Sequence, residues 1–337
     1  MDSHEQVRFS TLENEIPLVA QPVTAGIKLS DWVRSNKTLI DDRLEKSGAI
    51  LFRGFDVVDQ PGFAEVVKAI SPRLLEYVYR STPRTQVGDR IYTATEYPAH
   101  QTIPLHNEAS YQQSWPLRLM FFCLQPAETG GETPLADSVK VTKRIDRAIQ
   151  QKFLERDVMY VRNYEPGMDL SWQTVFQTSD KREVERFCHE NGIQCEWKTR
   201  DSLRTRQVCQ AMARHTTRGD LIWFNQAHLF HISSLGERTR QALLQIYREE
   251  DVPRNSYYGD GTRIEDDILE EIRAAYRAET VTFTWKAGDL LLIDNMLVCH
   301  GRTPYKGRRQ VLAAMTDEYR MNSTHQLDRE NEALSPS

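Results

Sequence analysis

Gly288-Asp-Leu-Leu-Leu-Ile-Asp-Asn-Met-Leu-Val-Cys-His-Gly-Arg302 decides the fold class. Its apolar run Leu290–Ile293 reads as a strand. Asp294-Asn295 is a turn signal, and the chain then returns to present His300 beside Gly301. Further short runs rich in β-branched and aromatic residues read as strands: Ala49–Phe52, Ile91–Thr95, Leu117–Leu124, Val158–Val161, Leu221–Phe224, Val281–Trp285 and Val311–Met315. Helical periodicity falls between them. Phe63, Val66, Val67 and Ile70 share one face, as do Ile264, Ile268, Ile272 and Tyr276. Leu243, Leu244 and Tyr247 mark another helix near Thr239–Glu250. Asp180 with Glu183 reads as a helix start and Gly192 as its stop. Strands lie at both ends of the chain, βαβ alternation is irregular, and no GxGxxG turn occurs. A jelly roll with added helices fits better than a doubly wound sheet.

Outward from His300, the segment that answers it is Ile103-Pro-Leu-His-Asn-Glu-Ala-Ser-Tyr111. On an extended strand His106 and Glu108 point to the same side. With His300 they form two imidazoles and one carboxylate. That is the facial set of non-haem iron(II) oxygenases, which leaves coordination positions open. If an oxo acid such as 2-oxoglutarate chelates the metal, its far carboxylate needs a fixed cation, preferably the planar fork of an arginine. Arg308 and Arg309 precede the last apolar strand, and its alternation decides which points inward. The Thr133 hydroxyl in Gly130-Gly-Glu-Thr-Pro134 is a second donor.

These stretches (HNE, GGETPLAD and GDLLLIDNMLVCHGRTPYKGRRQVL) resemble the taurine-dioxygenase-like group of Fe(II)/2-oxoglutarate oxygenases. Within it they resemble the branch typified by the syringomycin-pathway aspartyl β-hydroxylase. The resemblance runs from about Gly48 to Met315. It implies a double-stranded β-helix with a helical insertion and flanking helices. It also implies His106, Glu108 and His300 as iron ligands, Thr133 and Arg309 as 2-oxoglutarate anchors, and O₂ as second co-substrate. Arg308 is the less favoured neighbour. Glu108 stands where much of the family has Asp, and a carboxylate there excludes the halogenase variant. The arginine that grips sulfonate in taurine dioxygenase would fall near Ala313, so taurine is not the expected substrate. An amino acid, or an aminoacyl group on a peptidyl carrier protein, is implied instead. Its oxidation in specialised metabolite or antibiotic biosynthesis would be hydroxylation, with desaturation or cyclisation as variants.

For substrate contacts the sequence offers Arg84, Glu96, Asn225 and Arg302. Asn225 and its neighbour Gln226 equally suit backbone capping, and Arg302 suits bracing of the His300 turn. His228 and His231 are spaced for a shared helix face, but no Cys or carboxylate nearby completes a zinc set. Two rival classes use the same residues: a zinc-dependent hydrolase and a non-catalytic cupin-like binding protein.

Bulk properties set the frame. The 337 residues carry a net charge of −5 with acidic and basic residues interspersed. Neither a nucleic-acid face nor a membrane-seeking patch is expected. No apolar run approaches the ~18–20 residues of a membrane span. The polar start MDSHEQVRFSTLENE lacks a signal region, so a cytoplasmic enzyme is expected. The five cysteines form no CxxC pair and read as reduced, mostly buried thiols. One domain, 1–337, is expected, with its core at about 45–318 and a flexible tail at about 322–337.

Overall fold

The structure is a computed structural model that describes residues 6–12, 15–79, 81–167, 169–198 and 201–321. The expected tail lies outside them. An eight-stranded sheet runs in the order Val7–Thr11, Leu18–Pro22, Ala49–Phe52, Leu290–Asp294, Ser114–Gln125, Gln310–Arg320, Ile91–Thr93, Gln86–Gly88. All neighbours are antiparallel except Leu18–Pro22 against Ala49–Phe52. The sheet therefore begins well upstream of residue 45.

Its central strands read as unbroken apolar runs because both faces are covered. Met120, Phe122, Leu290, Leu292, Leu312 and Ala314 face one way. They meet the helices Leu29–Ser35, Lys37–Ser47 and Gln60–Ile70 through Trp32, Ile40, Leu44 and Phe63. Phe63 stacks on Phe122 at 5.3 Å between centroids. The alternate residues Leu119, Phe121, Leu291, Ile293, Ala313 and Met315 face the other way, toward Leu135, Phe283, Trp285 and Val298. On that side lies a three-stranded sheet, Ile103–His106, Val298–Arg302 and Leu135–Asp137. Two sheets enclosing one apolar layer make the expected jelly roll.

The stretch from 138 to 287 forms the expected insertion. It carries helices, including Ser138–Arg144, Lys181–Glu190 and Asp266–Ala278. It also carries a four-stranded antiparallel sheet, Gln194–Trp197, Leu203–Cys209, Val158–Tyr164, Arg254–Tyr258. Asp180 caps Lys181–Glu190 by accepting from the Arg182 amide at 2.8 Å. The outer face of the small sheet, with Leu105, Ala136 and Cys299, packs into the insertion's core. Its inner face is thereby left for His106 and His300.

Val281–Trp285 is not a strand. Val281 makes one bridge to Leu135, and the rest runs extended without a ladder. Phe283 and Trp285 are nevertheless buried while Thr282 and Thr284 are exposed. Alternation there reports one-sided burial rather than pairing. Among the described residues no helix is long and apolar enough to cross a membrane.

Candidate active site

His106 ends its strand opposite His300, so the two are direct cross-strand partners. Side chains paired in this way stand on one face, and the rings lie 4.5 Å apart between centroids. Glu108 reaches them differently from the extended geometry expected of it. The strand stops at His106, and Glu108 sits in the turn that follows, just before Ala109 at φ +57°. The turn is held from the far end of the chain. Asn295 Oδ1 accepts the Glu108 amide at 2.7 Å, and its Nδ2 donates to the carbonyls of Glu108 and Pro116 at 2.9 and 2.8 Å. Asn107 Nδ2 returns a bond to the Asn295 carbonyl at 2.6 Å. Gln226 Nε2 donates to the Asn107 carbonyl at 2.8 Å.

One ligating atom from each of His106, Glu108 and His300 lies within 4.8 Å of the others. The donor set suits a cation. A bond at 2.9 Å between His106 Nδ1 and the Pro104 carbonyl requires the proton on Nδ1, which leaves Nε2 as a lone-pair donor. Desolvation pulls both imidazoles below their ordinary range, His300 well below it. A neutral imidazole is the form a metal takes. His300 Nε2 stands 3.9 Å from Glu108 Oε2, too far for a hydrogen bond, and its buried Nδ1 has no partner among the described residues. Phe121 backs the ring at 5.1 Å.

The same cavity, about 390 Å³ with its mouth included, is lined by Thr133, Arg309, Arg84 and Arg302 as well as the two histidines. Thr133 Oγ1 accepts from Trp285 Nε1 at 3.0 Å, so its own proton is free to point elsewhere. Arg309 Nε donates to the Gly131 carbonyl at 3.0 Å. A Cβ at Gly131, which has φ +74°, would stand 3.0 Å from Arg309 Cδ. Glycine there admits both the turn and the arginine. Burial, with Arg302 nearby, pulls the Arg309 guanidinium down to about 10. A cation so placed is under-compensated and suited to an anion. Arg308 is exposed.

The substrate candidates divide. Arg84 lies in the cavity, buried, with its guanidinium 2.7 Å from Glu108 Oε2 and over the Tyr77 ring at 4.4 Å. Arg302 lines the cavity but is spent on the backbone. It donates to the carbonyls of Tyr97, Pro98 and Gln101 at 2.7–2.9 Å, and so staples that rim loop rather than the His300 turn. Asn225 is not in the cavity. It is wholly buried between the Ala211 carbonyl and the Ala227 amide, as a backbone cap. Glu96 is exposed and accepts from Thr93 Oγ1, so an outward-facing turn takes its carboxylate. His228 stacks on Tyr276, and His231 bonds Ser233; neither joins a metal set among the described residues.

Sequence reasoning missed the roles of Asn295 and Trp285, and gave Gln226 only as a substrate contact or backbone cap beside Asn225, without its bond to Asn107. The first was seen only as a turn residue. Each partner lies more than 100 residues away, so no local signal marks it.

The family model "Taurine catabolism dioxygenase TauD, TfdA family" matches residues 14–316. The dapdiamide synthesis protein DdaC of Enterobacter agglomerans is 44% identical over 278 residues, covering 82% of this chain and 84% of its own. A clavaminate synthase-like protein of Arabidopsis thaliana is 31% identical over 318 residues, covering 89% and 93%. Among solved structures, PvcB, described as an Fe, alpha-ketoglutarate dependent oxygenase from an isonitrile synthetic pathway, superposes with a TM-score of 0.55. The match covers 94% of both chains at 14% identity. AAD-2 in complex with Mn(II) and N-oxalylglycine gives 0.52 at 13% identity, covering 92% of this chain and 96% of its own. At such identities the likeness is one of fold.

Proposed function

The chain belongs to the TauD, TfdA family of iron(II)- and 2-oxoglutarate-dependent dioxygenases, and from that premise we propose its substrate and the roles of its residues. It oxidises an amino acid, or an aminoacyl group on a carrier protein, in the biosynthesis of a specialised metabolite in the cytoplasm. Hydroxylation is the default outcome. The similarity to a dapdiamide synthesis protein over most of both chains supports the biosynthetic setting. One catalytic domain carries the activity.

The observation that carries the assignment of roles is a pairing within one cavity. Two neutral imidazoles and a carboxylate converge at one end, and an under-compensated arginine with a threonine hydroxyl lines the same space. His106, Glu108 and His300 would hold the iron. When bound, iron(II) with 2-oxoglutarate and O₂ supplies the oxidising power that inserts oxygen into a C–H bond while 2-oxoglutarate becomes succinate and CO₂.

The protein's residues do the rest by placement. The Pro104 carbonyl fixes the His106 tautomer, and Asn295 fixes the Glu108 backbone. Arg309 and Thr133 grip the far carboxylate of 2-oxoglutarate, the arginine through its fork and the threonine through the proton that Trp285 leaves free. Arg302 holds the loop 97–101 as the rim over which substrate enters. Anaerobic titration with Fe(II) and 2-oxoglutarate, followed by O₂ and a panel of free and carrier-bound amino acids scored by succinate release, tests this reading. Stoichiometric iron with substrate-stimulated succinate supports it; zinc-dependent hydrolysis without 2-oxoglutarate consumption overturns it.

A further inference from the structure

Three arginines line the cavity, and two are accounted for: Arg302 by backbone carbonyls, Arg309 by the far carboxylate of 2-oxoglutarate. Arg84 is the third. Its terminal nitrogen lies 2.7 Å from Glu108 Oε2. That is the same oxygen that stands 3.9 Å from His300 Nε2, inside the ligand cluster. Both side chains are 4% exposed. The guanidinium thus occupies the electrostatic place of a metal cation beside the carboxylate the metal requires.

From this geometry we infer that Arg84 is a counter-cation for Glu108 that metal loading displaces, and that it then binds a carboxylate brought in beside the metal. The inference rests on the proposed oxygenase reading. Two positive charges at one carboxylate oxygen repel each other in a buried site, so metal and guanidinium compete for Oε2. When a metal takes that oxygen, Glu108 no longer balances the Arg84 charge, which stays in the cavity over the face of Tyr77. A buried guanidinium in that state favours a planar oxyanion it can meet through two N–H groups. Two small molecules can supply one: the carboxylate of 2-oxoglutarate that Arg309 does not hold, or a carboxylate of the substrate. Metal loading and carboxylate binding become coupled in a fixed order, metal first.

The competition has a sign that a merely structural role for Arg84 lacks. A guanidinium beside a carboxylate repels a second cation at that group. Arg84→Gln should therefore bind Mn(II) about tenfold more tightly than the wild type, read by calorimetry without turnover. On the Mn(II)-loaded protein, the same variant should bind a carboxylate about tenfold more weakly. A weaker dissociation constant for 2-oxoglutarate identifies the co-substrate as its source. Unchanged 2-oxoglutarate binding, with the wild type's tighter binding of amino acids than of their carboxamides lost, identifies the substrate.

Arg84→Lys keeps the charge without the fork and carries the test if the glutamine variant does not fold. It should leave Mn(II) affinity within about threefold and still weaken the carboxylate. Mn(II) bound more weakly by Arg84→Gln would show that Arg84 merely holds Glu108 in place, and would overturn the inference. So would tighter Mn(II) with no carboxylate weakened. Failure of the wild type to bind Mn(II) would fall on the oxygenase reading itself, and on this inference with it.

Discussion

Asn295 clamps the backbone of Glu108 on both sides of its Cα, accepting its amide at 2.7 Å and donating to its carbonyl at 2.9 Å. The two residues are 187 apart in sequence, and Asn295 is fully buried. The carboxylate ligand is thus oriented by the turn that leads into the His300 strand, which couples the positions of two ligands through one side chain. Partners of this kind typically govern metal affinity about 10- to 100-fold. Asn295→Ala should lower Mn(II) affinity by that range and also destabilise the metal-free protein, because three buried backbone groups lose their partner at about 1–3 kcal/mol each. Calorimetric titration and thermal unfolding read the two effects separately. Unaltered affinity in a folded variant would mean that the turn holds itself.

His106→Ala and His300→Ala should each abolish iron binding and succinate formation, since each removes one of only three protein ligands. Undiminished succinate release in either variant would remove that residue from the ligand set.

Glu108→Ala should separate binding from chemistry. Two imidazoles and the co-substrate remain to retain some metal, while hydroxylation is lost. The metal-free variant should also be less stable by about 3–5 kcal/mol, because Arg84 is left as a buried cation without its anion. Full hydroxylase activity without added carboxylate would show that Glu108 is not a ligand.

Much of this site was legible because its two histidine ligands lie on strands. The HNE segment and the His300 segment each show a histidine at the end of a recognisable apolar run, and cross-strand pairing brings the two together. The strands of the large sheet were legible for a related reason: burial on both faces leaves unbroken apolar runs such as Leu290–Ile293. What failed to show was of two kinds. Val281–Trp285 has the alternation of a strand but makes a single bridge, to Leu135, and no ladder, so pattern alone misread it. The first two strands, VRFST and LVAQP, are short and mixed in polarity, and draw their stability from neighbours rather than from propensity. Asn225 and Asn295 are both buried asparagines; the first caps backbone near it in the chain, and only contacts 187 residues away make the second the support of a ligand.

Acid should destabilise the protein through histidines outside the metal set. Burial pulls His228 down to about 3 and His231 to about 4. Unfolded, both titrate near 6.5. A depressed histidine means that the unfolded chain binds the proton more readily, so stability is complete above about pH 6.5 and falls as pH drops toward 4. Each group contributes a slope of about 1.4 kcal/mol per pH unit in that window. His228→Phe, which keeps a ring against Tyr276, should remove one such slope from a denaturant-based stability profile. An unchanged profile would show that His228 is already protonated in the folded state.

The central claim is that this cavity binds 2-oxoglutarate by its far carboxylate at Arg309. The most direct measurement is the dissociation constant of 2-oxoglutarate for the Mn(II)-loaded protein, compared among wild type, Arg309→Ala and Arg308→Ala. Truncating a buried bidentate pair costs about 2–5 kcal/mol, or roughly 30- to several-thousand-fold. Arg309→Ala should weaken 2-oxoglutarate by that range with Mn(II) affinity nearly intact, and Arg309→Lys should recover only part of it. Arg308 is exposed, so Arg308→Ala should change little. A silent Arg309→Ala beside a damaging Arg308→Ala would contradict the anchor assignment, and silence in both would contradict the co-substrate account itself.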